Sequence, residues 1–246
     1  MQRYGGLAAV YDYLVRGVDF EGWIDYLEEL LKKFNYTPKT VLDLACGTGN
    51  TLLPLARRGY QASGVDLSPE MVARAEENAT SSGLAADFFV ADMRVFKSPE
   101  PVDLVTCFHD GLNYLLEYRD LVQTFQCVKQ SLAQGGLFVF DLNAVRWLSG
   151  TQSGETVVEE EELTLIYSSA YHDGEDVWEV NLTCLIREGE FYRKFTEVHR
   201  EKAYRVTEVQ AALHEAGLTP LAVYGAFTSD PPSGESRRHF YVARNS

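Results

Sequence analysis

Apolar residues recur at helical spacing through residues 1–36, and beyond them short apolar runs alternate with amphipathic stretches. One stripe from Phe20 to Phe34 predicts a helix that begins after Asp19, a good N-cap residue, and ends before Pro38. The short runs have the length of buried strands, and the stretches between them have the period of helices. The predicted strands are 40–44, 61–65, 87–91, 102–107, 137–142, 221–227 and 239–243, and the predicted helices are 51–58, 69–82, 118–132 and 207–216.

The pattern changes after Asn143. Alternating apolar residues on both sides of Asp173-Gly174 and of Glu188-Gly189 predict strands joined by hairpin turns. These strands form an antiparallel β meander that interrupts the alternation of strands and helices. We expect this insertion to occupy residues 150–204.

Strands that alternate with helices are typical of a mostly parallel sheet with helices on both faces. A Gly135-Gly136 turn is expected just before the strand at 137–142. The acidic run at 159–162 is expected to be a solvated edge that discourages strand-on-strand aggregation. No long Pro/Gly/Ser linker divides the chain, so we expect one domain over residues 1–246.

Composition restricts the function classes. The 246 residues carry a formal charge of −14 with a pI near 4.8, which disfavours a nucleic-acid partner because phosphate contacts need clustered Lys and Arg. No apolar run approaches the roughly 18 residues of a membrane span, and the start lacks a signal core, so a cytoplasmic protein is expected. The cysteines are widely spaced without a CxxC pair, which indicates neither a zinc site nor a disulfide framework.

Three acidic residues accompany three successive predicted strands. Asp43 precedes the loop of Gly47 and Gly49, Asp66 follows the second strand and Asp92 follows the third. In a parallel sheet the carboxyl ends of strands lie side by side, and open α/β sheets bind their ligands there. Glycines in the first loop let a ligand approach the backbone. The sequence therefore predicts a ligand site at this edge.

The segments 42–49, 65–71 and 91–93 that contain these acids resemble the three motifs of class I S-adenosylmethionine-dependent methyltransferases. The resemblance implies a Rossmann-like, seven-stranded methyltransferase sheet of the α/β class, mostly parallel with an antiparallel last strand. It also implies S-adenosylmethionine as the cofactor and S-adenosylhomocysteine as a product.

The resemblance further implies which residues contact the cofactor. Asp66 would hold both ribose hydroxyls, which suits a carboxylate with two acceptor oxygens. Asp92 would accept from the adenine amino group, the loop of Gly47 and Gly49 would pass under the methionyl part, and Asp43 would orient that loop. The expected contacts are Tyr4, Tyr11, Asp43, Ala45, Cys46, Gly47, Gly49, Asp66, Leu67, Asp92, Met93 and Phe108, with no metal.

Each of these residues also has a purely structural interpretation. Asp66 could only cap a helix, Asp92 could only be a turn residue, and the N-terminal tyrosines could pack on the sheet. A dinucleotide-binding domain also has a glycine loop and a later acid, but its fingerprint needs a small residue where this chain has Leu52. Two alternatives come from other classes. One is a nicotinamide oxidoreductase, which would contain such a dinucleotide-binding domain, and the other is a noncatalytic S-adenosylmethionine-binding module.

The acceptor is expected to be a small molecule methylated at nitrogen or oxygen by in-line displacement. The segment 108–114 lacks the Asn/Asp-Pro-Pro-aromatic sequence of enzymes that methylate amino groups of bases or glutamine, and the chain has no Pro-Cys pair for attack on cytosine. His109 is the candidate general base, and the alternative is a histidine that only supports its loop. Further polar candidates are Asp110, Asn113, Asp141, Asn143, His172 and His199.

The insertion is expected to be a lid that selects the acceptor, with scaffolding as the alternative and a homodimer surface as a second role. Its position at the carboxyl edge brings it to the place where cofactor and acceptor must meet. Its aromatic residues would exclude water and offer apolar contact. Those residues are Tyr167, Tyr171, Trp178, Phe191, Tyr192 and Phe195.

Overall fold

The computed structural model describes residues 6–150 and 154–246, so the predicted contact Tyr4 lies outside the described residues. The first elements are a 3₁₀ turn (Leu7–Ala9), α1 (Tyr11–Leu14), α2 (Phe20–Lys33), β1 (Thr40–Leu44), α3 (Leu52–Arg57), β2 (Gln61–Asp66), α4 (Pro69–Ser81), β3 (Ala86–Val90), β4 (Val102–Cys107) and a second 3₁₀ turn (Gly111–Tyr114). The remaining elements are α5 (Tyr118–Ser131), β5 (Leu132–Asn143), α6 (Val145–Gly150), β6 (Gly154–Glu159), β7 (Leu163–His172), β8 (Val177–Glu188), β9 (Phe191–Lys202), α7 (Val206–Ala216), β10 (Thr219–Gly225) and β11 (Arg238–Arg244).

Seven strands form one sheet in the order β10-β11-β5-β4-β1-β2-β3. The pairs among β1 to β5 are parallel, and β11 runs antiparallel to both of its neighbours. This is the predicted Rossmann-like sheet with an antiparallel last strand. The order places the carboxyl ends of β1, β2 and β3 side by side, which is the edge where the acid-bearing motifs were expected.

Local chemistry explains where the helices begin and end. The Asp19 carboxylate accepts a hydrogen bond from the Gly22 N–H at 3.0 Å and caps α2. Ser68 caps α4 in the same way, accepting from the Met71 N–H at 3.2 Å. Gly217 follows α7 in the left-handed conformation that favours glycine (φ +79°). These helix ends therefore agree with the sequence pattern.

The fifth strand differs from its prediction because it begins at Leu132 rather than at residue 137. The expected Gly135-Gly136 turn is part of that strand, and the register with β4 shifts across it. Backbone hydrogen bonds with Asn245 hold this irregular stretch, from the Gly135 N–H at 2.7 Å and to the Gly136 carbonyl at 3.0 Å. Pairing with the distant chain end thus replaces a free turn.

The insertion is the predicted antiparallel β meander, with one strand more than the sequence pattern indicated. It is a separate four-stranded antiparallel sheet in the order β6-β7-β8-β9, and α6 precedes it. The sequence pattern missed β6 because this strand is exposed along its whole length and has little apolar alternation. The acidic run 159–162 consequently ends β6 and turns into β7, instead of forming an edge before the meander.

An apolar cluster joins the insertion to the rest of the molecule through the N-terminal segment 6–14. Leu7 and Val10 pack with Met71 of α4 on one side and with Leu163 and Cys184 of the insertion on the other. The N-terminal segment therefore lies between the large sheet and the small one. Among the described residues, no helix is long and apolar enough to cross a membrane.

Candidate active site

A cavity of about 280 Å³ opens at the carboxyl edge of the large sheet. Its lining comes from the first three strand ends, the segment after β4, the N-terminal segment and the loop after β3. The predicted site residues on its wall are Tyr11, Ala45, Gly47, Asp66, Leu67, Asp92, Met93 and His109. The other predicted contacts in the described chain (Asp43, Cys46, Gly49 and Phe108) are not part of the wall.

The loop after β1 needs unusual backbone conformations. Ala45, Gly47 and Gly49 all have positive φ, at +53°, +55° and +89°, a region that L side chains rarely adopt. The Gly49 N–H closes the turn on the Cys46 carbonyl at 2.9 Å. The buried Cys46 side chain lies against Gly64, where a Cβ would be only 2.8 Å from its Sγ. Cys46 and Gly49 therefore shape the loop from behind.

Asp66 lies at the end of β2 with its carboxylate on the cavity wall. One oxygen accepts from the Gly47 N–H and the other from the Ser68 N–H, both at 2.9 Å. Burial raises the pKa of Asp66, and these backbone donors oppose the shift. A carboxylate has about four acceptor positions, so oxygen lone pairs remain available for a ligand diol.

Asp43 is fully buried behind the loop. It accepts hydrogen bonds from the Thr51 hydroxyl at 2.6 Å and the Thr106 hydroxyl at 2.7 Å. Burial raises its pKa to about 6, while the two hydroxyls act in the opposite direction. Asp43 thus ties the start of α3 to β4 and positions the glycine loop between them.

Asp92 follows β3 and is paired with an arginine that the sequence reading missed. The Arg94 guanidinium binds Asp92 at 2.6 Å and Asp120 at 2.9 Å. The hydrogen bonds from Arg94 lower the pKa of Asp92. All three side chains line the cavity, so this end carries two carboxylates around one planar cation. The Asp92 to Arg94 spacing was the only available signal.

A buried carboxylate holds the segment after β4. Asp141 of β5 accepts from the His109 N–H at 2.7 Å and from the Asp110 N–H at 3.3 Å. Both of those residues have positive φ, at +61° and +63°, and such strain persists only where the surroundings enforce it. Arg238 of β11 binds Asp141 and also the Asp110 carboxylate, the latter at 2.7 Å. Strands β4, β5 and β11 are therefore fastened together at this point.

The His109 ring sits in an aromatic environment. Its centroid is 5.6 Å from those of Phe20 and Trp23, and its Nδ1 is 3.5 Å from the Tyr11 hydroxyl. Phe108 is buried and packs on Trp23 and Phe240. His109 consequently reaches the cavity, whereas Phe108 belongs to the core.

Polar residues behind the cavity join the insertion to the large sheet. Asn113 donates to the Lys202 carbonyl at 2.8 Å and accepts from the Asn143 N–H at 3.0 Å. The Asn143 amide in turn donates to Glu201 at 2.9 Å. Burial and the nearby charge of Asp110 raise the pKa of Glu201 to about 8. The sequence reading missed Glu201 because nothing in a charged strand marks one glutamate as buried.

The aromatic residues of the insertion do not line the cavity, contrary to the expectation for a lid. Phe191 and Tyr192 lie on the surface, 77% and 58% exposed. Phe195 packs on the N-terminal segment, so closely that a Cβ on Gly6 would lie 2.4 Å from its ring. His172, at a hairpin end, is also exposed. Among residues 6–150 and 154–246, no cluster of side chains could hold a metal ion.

Comparison with known proteins agrees with this geometry. A family described as a methyltransferase domain matches residues 41–136. A candidate methyltransferase of Geobacillus sp. (strain WCH70) is 32% identical, over 98% of this chain and 99% of the relative. An S-adenosylmethionine-dependent methyltransferase from Clostridium acetobutylicum ATCC 824 has a similar structure, with a TM-score of 0.87, 30% identity and 98% of each chain covered. The fold and the site therefore define a methyltransferase.

Two further relatives carry more specific names. The dTDP-3-amino-3,4,6-trideoxy-alpha-D-glucopyranose N,N-dimethyltransferase of Streptomyces venezuelae is 26% identical over 86% of this chain and 89% of its own. The sugar N-methyltransferase KedS8 of Streptoalloteichus sp. ATCC 53650 has a TM-score of 0.76 and 27% identity, with 94% and 90% covered. The chain belongs to the class I S-adenosylmethionine-dependent methyltransferases.

Proposed function

We propose that this enzyme methylates a small molecule at a nitrogen or oxygen atom and releases S-adenosylhomocysteine. The carrying observation is the cavity itself, which joins the three acid-bearing motifs to a second group of polar residues around Tyr11, His109 and Asp110. The bound cofactor supplies a sulfonium methyl group that is open to nucleophilic attack. The cavity has a volume of about 280 Å³, which is close to that of ordinary small-molecule sites and suits a compact acceptor.

The residues of the first three strand ends would hold the donor. Asp66 has free acceptor positions for both ribose hydroxyls, and Asp92 with Arg94 offers a carboxylate beside a planar cation for the adenine. The positive-φ loop of Gly47 allows the methionyl part to lie against backbone. Tyr11 contributes from the N-terminal segment, and burial raises its pKa, which keeps the hydroxyl protonated.

Charge favours an amine as the acceptor. Asp110 and Asp141 share one cation, Arg238, so this group carries a net negative charge. Burial alone would raise the pKa of Asp110, but the charge of Arg238 lowers it and keeps the carboxylate ionised. One relative named as an N,N-dimethyltransferase of an amino sugar and one named as a sugar N-methyltransferase support the same choice. The net charge of −14 also makes the chain a poor match for a nucleic-acid partner. We further propose that the enzyme acts in the cytoplasm.

A labelled-donor screen tests this function. The protein is incubated with S-[methyl-³H]adenosylmethionine and a low-molecular-weight bacterial metabolite extract, and labelled products are identified by mass. We expect label in an amine-containing metabolite and none in ribosomal RNA supplied as a control. Donor binding without turnover would instead support a noncatalytic module, and saturable NAD binding would support an oxidoreductase.

The insertion acts as a lid within one domain spanning residues 1–246, and its exposed face is the candidate homodimer surface. It closes the site indirectly, by pressing the N-terminal segment 6–14 against α4. Hydrogen exchange with and without S-adenosylhomocysteine tests the lid. Slower exchange in both the N-terminal segment and β7–β9 is expected on binding, and unchanged exchange in the insertion would leave scaffolding as its role.

A further inference from the structure

Three residues from two parts of the chain form a connected polar series that starts at the cavity. Tyr114, on the second 3₁₀ turn, lines the cavity, and its hydroxyl lies 3.2 Å from Nδ1 of His199 in β9. The other ring nitrogen of His199 lies 3.3 Å from Oε2 of Glu197. Only 12% of the His199 side chain and 8% of the Glu197 side chain are exposed. The series therefore runs from the cavity wall into a largely water-free region.

Glu197 is held in place by its other oxygen. Oε1 accepts from the Leu7 N–H at 3.0 Å and from the Gly6 N–H at 3.3 Å. Burial would raise the pKa of Glu197, but its interaction with the His199 ring and the hydrogen bonds from these backbone groups outweigh it and lower the pKa. The carboxylate thus stays ionised, and its second oxygen is directed at the imidazole.

The surroundings of His199 differ from those of His109. Two aromatic rings and the Tyr11 hydroxyl surround the His109 imidazole, and the nearby Asp141 binds the His109 backbone rather than its ring. A buried carboxylate next to an imidazole stabilises the protonated ring and fixes its orientation. His199 has a hydroxyl beside one ring nitrogen and a carboxylate beside the other.

We propose that Tyr114, His199 and Glu197 form a proton relay that removes the proton released by the acceptor during methyl transfer, an inference that rests on the proposed function. Tyr114 is the catalytic residue because it lines the cavity. His199 receives the proton through Tyr114, and Glu197 positions and stabilises His199.

The step balances without another reactant. The acceptor nitrogen uses its lone pair to form the new C–N bond, and the methyl–sulfur bond breaks with its electron pair left on sulfur as a thioether. The nitrogen gives a proton to the Tyr114 oxygen while the tyrosine proton moves to Nδ1 of His199. The positive charge lost from the sulfonium thus reappears as an imidazolium next to Glu197. A hydroxyl acceptor follows the same course.

The first experiment needs no acceptor. Sinefungin carries an amine-bearing carbon in place of the methylated sulfonium, so its ammonium group occupies the path of the transferred methyl. Calorimetry compares its dissociation constant with that of S-adenosylhomocysteine in the wild type, Tyr114→Phe and Glu197→Gln. We expect Tyr114→Phe to weaken the binding of sinefungin about tenfold or more, the usual effect of losing a hydrogen bond to a charged group. The binding of S-adenosylhomocysteine should weaken less than about threefold.

Glu197→Gln should weaken sinefungin selectively but less strongly, because it acts through His199. The matched controls are Tyr192→Phe, on the exposed hairpin end, and His214→Gln, on the exposed face of α7; neither should change the ratio of the two constants. An unchanged ratio in Tyr114→Phe would overturn the relay. Equal weakening of both ligands would also overturn it, since Tyr114 would then only hold the donor.

Turnover provides a second, separate measurement. With the labelled donor at saturating concentration and the same metabolite extract, Tyr114→Phe and His199→Gln should lower the rate of label transfer about 100-fold or more, the usual contribution of general acid–base catalysis, at an unchanged KM for the donor. Wild-type turnover in both variants would contradict the relay. Absence of transfer by the wild type would refute the proposed function and the relay with it, whereas transfer by the wild type with an unchanged sinefungin ratio in Tyr114→Phe would refute the relay alone.

Discussion

The cavity has two walls that are built in different ways. The strand-end wall consists of Gly47, Asp66 and Asp92, and the insertion wall consists of Tyr114 with His199, Glu197 and Glu201 behind it. In the strand-end wall, Asp66 bonds to the N–H two residues later and Asp92 binds the arginine two residues later. In the insertion wall, Tyr114 meets a histidine 85 residues away.

The two walls also differ in electrostatics. Hydrogen bonds from Arg94 lower the pKa of Asp92, whereas burial raises the pKa of Glu201 to about 8. Asp92 in the strand-end wall thus presents fixed negative charge for polar ligand groups. The insertion wall contains a carboxyl group that can hold a proton near neutral pH. We therefore expect donor recognition and proton transfer to involve different walls, and the following variants test that division.

The largest effect is expected from Asp141→Ala, because this residue supports the segment between the walls. The substitution leaves Arg238 without one buried partner and the His109 N–H without its acceptor. Removing one member of a buried ion pair costs about 3–5 kcal/mol, and the free energy of unfolding in urea should fall by that amount. Glu235→Ala, in an exposed pair with Arg146 at 3.7 Å, should have no measurable effect. A similar loss in both variants would contradict the assigned role of Asp141.

Asp66→Ala should weaken donor binding, because it removes the expected ribose acceptor and also the carboxylate that holds the Gly47 and Ser68 N–H groups. Loss of hydrogen bonds to a charged group costs about 1.5–3 kcal/mol, so calorimetry with S-adenosylhomocysteine should show binding about 10–150-fold weaker. Asp87→Ala, an exposed aspartate on the neighbouring β3, is the control. Wild-type affinity in Asp66→Ala would show that Asp66 does not bind the ribose hydroxyls.

Glu201→Gln tests the protonated carboxyl of the insertion wall. The pKa of Glu201 is raised from 4.5 to about 8, so the folded state keeps a proton that the unfolded chain has lost. The stabilisation is complete below about pH 4.5 and is lost as the pH rises through 8. The amide of the variant stays neutral at every pH. The free energy of unfolding of Glu201→Gln, relative to that of the wild type, should therefore rise by at least about 1 kcal/mol between pH 5 and 9, one pKa unit being worth about 1.4 kcal/mol.

Urea unfolding at several pH values measures this difference. Glu190→Gln, in the exposed turn after β8, should differ from the wild type by a constant amount over the same range. A constant difference for Glu201→Gln as well would show that Glu201 is ionised in the folded protein.

The smallest effect is expected from His109→Asn. Asparagine tolerates the left-handed backbone of this position, so the segment should keep its shape. Because the relay begins at Tyr114, label transfer at saturating donor should fall less than about tenfold, below the usual contribution of a general base. A fall of several orders of magnitude with intact donor affinity would assign the base to His109.

The sequence was most informative where neighbours along the chain decide the structure. Strands β1 and β4 have the predicted bounds, and Ser68 and Gly217 mark helix ends as expected. The positions of Asp66 and Asp92 at one edge follow from the strand–helix rhythm, because parallel strands must end side by side. Their roles toward the donor stay predictions.

Tertiary structure decided the features that depend on distant partners. The start of β5 follows from pairing with Asn245, and β6 exists because β7 offers it an edge. The acidity of Glu201 and the environment of His199 depend on burial against segments that are far away in the chain. Spacing along a sequence reveals the period of a helix or strand, but it does not show which charged side chain of a strand becomes buried. The strand-end wall could therefore be located from residues 41–92 alone, whereas the insertion wall could be recognised only in the folded chain.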